Sequence, residues 1–163
     1  MKKNSTPLDL NGTGYCASFN FRKTARAVTR LYDVALQKTG IRSTQFALLV
    51  AVAKNHPISI GKLGDLLVID ATTLTRSLRV LQKEGLIAIS NRAAKRQRFL
   101  TLTAKGEHTL ARAVPPWRKA QERFVATVGS EYWLALRSEL ERVAHVAVDL
   151  EKPQKGRAER ISS

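Results

Sequence analysis

The chain has 163 residues, 44% hydrophobic and 25% charged, ordinary values for one packed domain or for a domain with an added dimerisation element. Disorder along the whole length is excluded, and with a single cysteine, Cys16, so is a disulfide-stapled mini-protein. The unusual quantity is charge: 28 Lys and Arg against 13 Asp and Glu give +15, which points to a polyanionic partner, nucleic acid first and an anionic membrane surface second.

Residues 1–14 carry two lysines but no apolar stretch of signal-peptide kind, and read as a loose arm. No run approaches the roughly 18 apolar residues of a membrane span. The best, 46–53, gives way at once to Lys54-Asn55-His56-Pro57. A cytoplasmic chain without membrane contact is expected. In 17–38, Phe21, Ala25, Val28, Leu31, Tyr32, Ala35 and Leu36 recur at helical steps, and Gly40 follows as a stop. Ser43 is the expected N-cap of a second helix over 44–54 with Phe46, Leu49, Val50 and Val52; Pro57 closes the segment behind it. Ser59 caps a short third helix with Ile60, Leu63, Leu66 and Leu67, and Asp70 caps a fourth over 71–84 that Gly85 ends.

Two short alternating runs follow, Leu86-Ile87-Ala88-Ile89-Ser90 and Arg98-Phe99-Leu100-Thr101-Leu102-Thr103, joined by a basic loop, which predicts a hairpin. Thr103 or Ala104 opens a fifth helix with an expected bend at Pro115-Pro116. Gly129-Ser130 breaks it. A last helix over 131–150 presents Trp133, Leu134, Leu136, Leu140, Val143, Ala144, Ala147 and Val148 on one side. Residues 152–163 read as a basic tail. The fold class is therefore mainly α with a minor β part: three helices and a two-stranded wing, a winged helix-turn-helix. The outer helices are too long and too apolar to bury themselves on so small a core, so they are expected to pair with a second copy as a homodimer.

At about 100° per residue, Leu74, Leu78 and Leu81 of the fourth helix fall on one side, toward the core. Thr72, Arg76, Arg79 and Lys83 lie opposite, flanked by Thr73 and Thr75. Short hydroxyl side chains near a helix start and long cations further along suit a helix entering the major groove. Threonine methyls and hydroxyls meet thymine methyls and base edges, and arginine forks onto guanine. The hairpin loop adds Arg92, Lys95, Arg96 and Arg98, with no acidic residue between Gly85 and Gly106. Such a tip suits the narrow, electronegative minor groove. The plainer alternatives are a solvated amphipathic helix and a polar hairpin tip; the adjoining short helix, the Gly85 stop and the hairpin favour DNA contact.

The stretch Ile69-Asp70-Ala71-Thr72-Thr73-Leu74-Thr75-Arg76-Ser77-Leu78-Arg79-Val80-Leu81-Gln82-Lys83-Glu84-Gly85-Leu86-Ile87, followed by Arg96 and by Leu102-Thr103-Ala104-Lys105-Gly106, resembles the MarR family of bacterial transcription regulators. The helix order fits from about residue 15 to 150. The resemblance implies a flexible arm over 1–14, a MarR-type domain over 15–151 and a tail over 152–163. Within that domain, 43–106 would bind DNA and 15–40 with 107–151 would dimerise. Two winged units would read a palindrome in double-stranded DNA, with Thr72, Thr73, Thr75 and Arg76 at bases or phosphates and Arg96 in the minor groove. One position departs: Ala94 stands where the family has the aspartate that orients the wing arginine.

The resemblance also implies a signal. A hydroperoxide-sensing branch of the family carries its reactive cysteine where Cys16 stands, and a helix start beside Arg22 and Lys23 favours thiolate. That branch's partner tyrosines are replaced here by Asn20 and Arg30, and Tyr15 and Tyr32 are out of register. An inert small hydrophobe is the plainer reading of Cys16. Family members commonly take a small aromatic effector in a cleft, for which Phe19, Phe46, Trp117 and Trp133 are candidates, although aromatics at helical spacing are more often core. No cofactor, no metal and no enzymatic activity are expected: His56, His108 and His145 lack metal spacing and no phosphate-cradling glycine loop is present. The function read from the sequence is a signal- or stress-responsive DNA-binding regulator, a repressor by expectation. The alternatives are a non-specific architectural DNA-binding protein and an interaction module that has lost DNA binding.

Overall fold

Side-chain caps and left-handed residues divide the chain into its elements. The computed structural model describes residues 10–92 and 97–151, with main chain only at 91 and 92. Besides 3-10 turns at Thr13–Tyr15 and Gln37–Thr39, the elements are α1 (Ala17–Leu36), α2 (Ser43–Lys54), β1 (Ile58–Ser59), α3 (Ile60–Leu67), α4 (Ala71–Lys83), β2 (Ile87–Arg92), β3 (Gln97–Leu102), α5 (Ala104–Val128) and α6 (Ser130–Glu151). This is a mainly α, winged helix-turn-helix architecture. The chain divides into two compact units, Met1–Ala120 and Gln121–Ser163. Lys95 and Arg96 of the expected wing tip, and the expected tail, lie outside the described residues, as does the side chain of Arg92.

Among the described residues, three helix starts carry side-chain caps. Ser59 Oγ accepts from the Lys62 N–H at 3.3 Å, Asp70 Oδ1 from the Thr73 N–H at 2.9 Å, and Thr103 Oγ1 from the Gly106 N–H at 3.0 Å. At the end of α4, Gly85 takes φ 70°, its N–H donates to the Gln82 carbonyl at 3.0 Å, and the Leu86 N–H donates to Leu81 at 2.9 Å. These are the paired closing bonds of a Schellman motif. The turn after α3 closes in the same way, with the Ile69 N–H on the Gly64 carbonyl at 2.9 Å. There the left-handed seat belongs to Val68, at φ 52°. A β-branched residue in that region carries strain of about 1–3 kcal/mol.

Two expectations are corrected. Ser43 is the first residue of α2 and not its cap: its N–H and hydroxyl both donate to Asp33 Oδ1 at 2.7 Å, and the preceding Arg42 N–H donates to Gln45 Oε1 at 2.8 Å. The sheet has three strands, not two, in the order β1-β3-β2. β1 pairs antiparallel with β3 through Ile58↔Leu100 and Ser59↔Phe99, and β2 pairs with β3 from Ile87↔Leu102 to Arg92↔Gln97. A two-residue strand has no periodicity to betray it. As expected, Pro115 and Pro116 lie inside the fifth helix, α5, where they leave the carbonyls of Ala111 and Arg112 without their helical donors. In the expected arm, residues 13–15 form a 3-10 turn.

The core of the first unit is built by Phe46, Leu49 and Val52 of α2, Leu63 of α3, Leu74, Leu78 and Leu81 of α4, and Leu100 of β3. Each buried leucine contributes roughly 1.5–3 kcal/mol relative to exposure. In the second unit, Phe124 and Trp133 meet edge to face, centroids 5.4 Å apart and planes at 89°. α6 buries none of its residues, and Tyr132, Leu134, Leu140, Val146 and Leu150 are exposed along it. No helix among the described residues is long and apolar enough to cross a membrane.

The end of α4 and the start of α5 are clasped. Thr103 Oγ1 donates to the Gly85 carbonyl at 2.6 Å, the Thr103 N–H donates to the Leu86 carbonyl at 3.1 Å, and a Cβ on Gly106 would run into that same Leu86 oxygen. The obstacle is main chain and cannot rotate away. Gly106→Ala is therefore expected to destabilise the protein by about 2 kcal/mol or more in urea unfolding; a substitution without effect would mean that the two backbones separate freely.

Candidate nucleic-acid interface

The leucine stripe decides which side of α4 faces outward. Leu74, Leu78 and Leu81 are each at most 2% exposed, so the rest of the helix surface turns away from the core. Thr72, Thr73, Arg76, Arg79 and Lys83 are all exposed, and Thr75 is half-buried at the edge of the stripe. Ser77 does not join this face chemically, because its hydroxyl donates back to the Thr73 carbonyl at 3.0 Å. The salt bridges among the described residues, Arg137 with Glu141 and Arg142 with Glu139, are both on α6. Arg76, Arg79, Lys83 and Arg98 thus have no acidic partner among the described residues.

Beside α4 the structure opens a groove of about 310 Å³ lined by Ser59, Ile60, Gly61, Thr75, Gln97 and Arg98. Two residues singled out in the sequence, Thr75 and Arg98, come together in it from α4 and β3. The start of α3 and Gln97 were not singled out. Ser59 was legible as a helix cap, but its place beside Arg98 depends on β1 joining β3, for which no local signal exists. The first turn of α3 adds the positive end of a helix dipole to a groove that already holds an arginine.

Asp70 holds α4 by its first turn. Hydrogen bonds from the Thr73 side chain and backbone keep its carboxyl below the ordinary carboxylate range. Asp33, beneath α2, is also lowered, first by the Ser43 N–H and then by the Ser43 hydroxyl.

The residues expected to sense a signal are dispersed. Cys16 is exposed at the N-cap of α1, and Phe19 is 57% exposed on its first turn. Phe46, a cleft candidate whose plainer reading was core, is a core residue whose ring stacks on Trp117, centroids 5.5 Å apart. Each ring covers the other. Among the described residues no group of three or more His, Cys, Asp or Glu is placed to hold a metal.

A profile of the MarR family matches residues 39–97, a span that takes in α2 through β2. An uncharacterised HTH-type transcriptional regulator of Staphylococcus aureus is 30% identical over 102 residues, covering 62% of this chain and 70% of that one. The transcriptional regulator HosA of Escherichia coli is 34% identical over 88 residues, 53% of this chain and 65% of its own. Among solved structures, the Mycobacterium tuberculosis transcriptional regulator MosR in complex with DNA superposes with a TM-score of 0.77 at 32% identity, over 83% of this chain and 98% of that one.

The Asp70 cap gives a pH-dependent expectation. A carboxyl whose folded pKa is depressed contributes stability above its unfolded value, near 3.9, and loses it as the pH falls through the lower folded value. Asp70→Ala is expected to melt at a lower temperature than wild type at pH 7, with the gap narrowing on acidification toward pH 3. A gap of constant size would show that the charge does not matter to the cap.

Proposed function

The chain belongs to the MarR family of DNA-binding transcriptional regulators, and from that premise we propose that it works as a homodimer on a palindromic operator, as a repressor released by a small-molecule or oxidative signal. The observation that carries the DNA-reading part is the outward face of α4: Thr72 and Thr73 near the helix start, then Arg76, Arg79 and Lys83, all exposed, the cations in no salt bridge among the described residues. Thr72, Thr73 and Thr75 would reach base edges or phosphates, Arg76 a guanine, and Arg79 the backbone. The groove shared by Thr75, Arg98 and the start of α3 suits a backbone phosphate. Arg92, Lys95 and Arg96 are proposed to follow the minor groove alongside. Regulators of this kind are not enzymes, and no catalytic role is proposed.

The dimer part rests on apolar side chains left open to solvent. On α1 these include Phe19, Leu31 and Val34, the last 73% exposed; on α6 they run from Tyr132 to Leu150. Surfaces of this kind mark interfaces, and a second copy would cover them with segments 15–40 and 107–151. Two recognition helices would then meet half-sites about one helical turn, roughly 34–36 Å, apart. Cys16, exposed at the start of α1, and the neighbouring Phe19 are the proposed reporters of oxidation or of a small aromatic effector. The charge of +15 favours one competing reading, a protein that coats DNA without sequence choice.

Selection of duplexes from a randomised pool separates the two. A site-specific regulator is expected to prefer its selected duplex over a scrambled one by about 10³-fold or more. Affinity should fall by about 10³–10⁵ between roughly 50 and 200 mM salt if about six to ten phosphates are neutralised. Arg76→Ala should cost more than about 1 kcal/mol on the selected duplex; equal losses on both duplexes would make Arg76 a phosphate contact. In sedimentation, Leu140→Asp should convert a dimer to monomers or insoluble protein, and a monodisperse dimer of that variant would place the interface elsewhere.

A further inference from the structure

The leucine stripe decides which side of α4 faces outward but sets its roll about its own axis only coarsely, because apolar burial is non-directional. Reading a base edge needs side chains held to roughly 0.5 Å and 10–20°. Directional contacts must supply that precision, and at the far end of α4 they converge on one residue. Glu84, which follows the helix, has its carboxylate Oε2 hydrogen-bonded by Gln45 Nε2 at 3.1 Å and its carbonyl by Lys105 Nζ at 2.7 Å. Gln45 is itself fixed, since its Oε1 accepts the Arg42 N–H at 2.8 Å. The adjoining Ser43 is tied by two hydrogen bonds to Asp33 of α1. A polar chain thus runs from α1 through the start of α2 to the end of α4 and on to the start of α5.

The chemistry of Glu84 is costly where it stands. A carboxylate at the C-terminal end of a helix faces the negative pole of the helix dipole, and a negative charge on the helix that approaches DNA is repelled by phosphate. The Gln45 amide is its side-chain hydrogen-bond donor. Resting on the reading that α4 enters DNA, we propose that Gln45 and Glu84 are positioning residues that set the roll of the recognition helix, and that Asp33 and Lys105 connect that setting to α1 and α5. Movement of the outer helices would reach the DNA-reading face through this chain.

The sign of the charge effect makes the proposal testable. Removing Glu84 takes a negative charge away from the DNA, so charge alone predicts tighter binding to every duplex. Positioning predicts that Glu84→Ala binds a scrambled duplex at least as well as wild type while losing at least about threefold in preference for the duplex the wild-type protein selects from a randomised pool. Gln45→Ala should lose the same preference, and the double variant should lose no more than the worse single one. Glu84→Gln, which keeps an acceptor for the Gln45 amide, should retain the preference within about twofold. These ratios are read at fixed salt on variants whose thermal melts are cooperative. Gln45→Ala, which removes no charge, keeps the test alive should Glu84→Ala fail to fold. Unchanged preference in Gln45→Ala and Glu84→Ala, or equal loss in Glu84→Gln, overturns the positioning role while leaving the DNA-reading role intact. A wild-type protein that selects no duplex overturns both.

Discussion

The face proposed to read DNA depends on the burial of Leu74, Leu78 and Leu81. Three leucines at helical spacing, each almost wholly withdrawn from solvent, contribute several kcal/mol in sum and leave α4 one way to face. Threonines and arginines placed between them at the same spacing are turned outward without further instruction. The face that would meet DNA is thus a by-product of packing. It can be rich in cations that pair with no acid among the described residues, because the core behind it supplies the stability that ion pairs would add little to in any case.

What packing leaves undetermined, polar contacts at the two ends of the helix decide. Asp70 holds the first turn and sits where a negative charge is welcome, beside the positive pole of the helix. Glu84 sits at the opposite pole, where the same charge is unwelcome, and is accompanied there by Gln45 and Lys105. The contrast separates a carboxylate that stabilises its own helix from one whose worth lies in a contact across the fold. Close by, Gly106 lets the backbone of α5 approach Leu86, and Thr103 bonds Gly85. The end of α4 is thus held by α2, by the start of α5 and by its own closing turn.

The outer helices present the complementary case. α6 buries no residue and α1 buries only Leu36, yet both carry large apolar side chains. The proposed homodimer is the reading in which a second copy covers them. The excess positive charge has the same logic at larger scale: a chain carrying +15 repels itself and is relieved by a polyanion.

The helices, their caps and the outward face of α4 were legible in the sequence because each rests on contacts between residues three or four apart. Asp70 with Thr73, Thr103 with Gly106, and the leucine stripe are all of that range. Ser43 misled because its hydroxyl had two possible partners, and the nearer in sequence lost to Asp33, ten residues back. Phe46 was open to two readings because an aromatic ring on a helix face looks the same whether it lines a cleft or meets Trp117. β1, the groove that joins Thr75 to Arg98, and the bond from Gln45 to Glu84 arise between segments brought together only by folding. Local spacing was enough to say which surfaces exist; which of them are neighbours became visible only in the fold, because a hydrogen bond across 39 residues leaves no period in the chain.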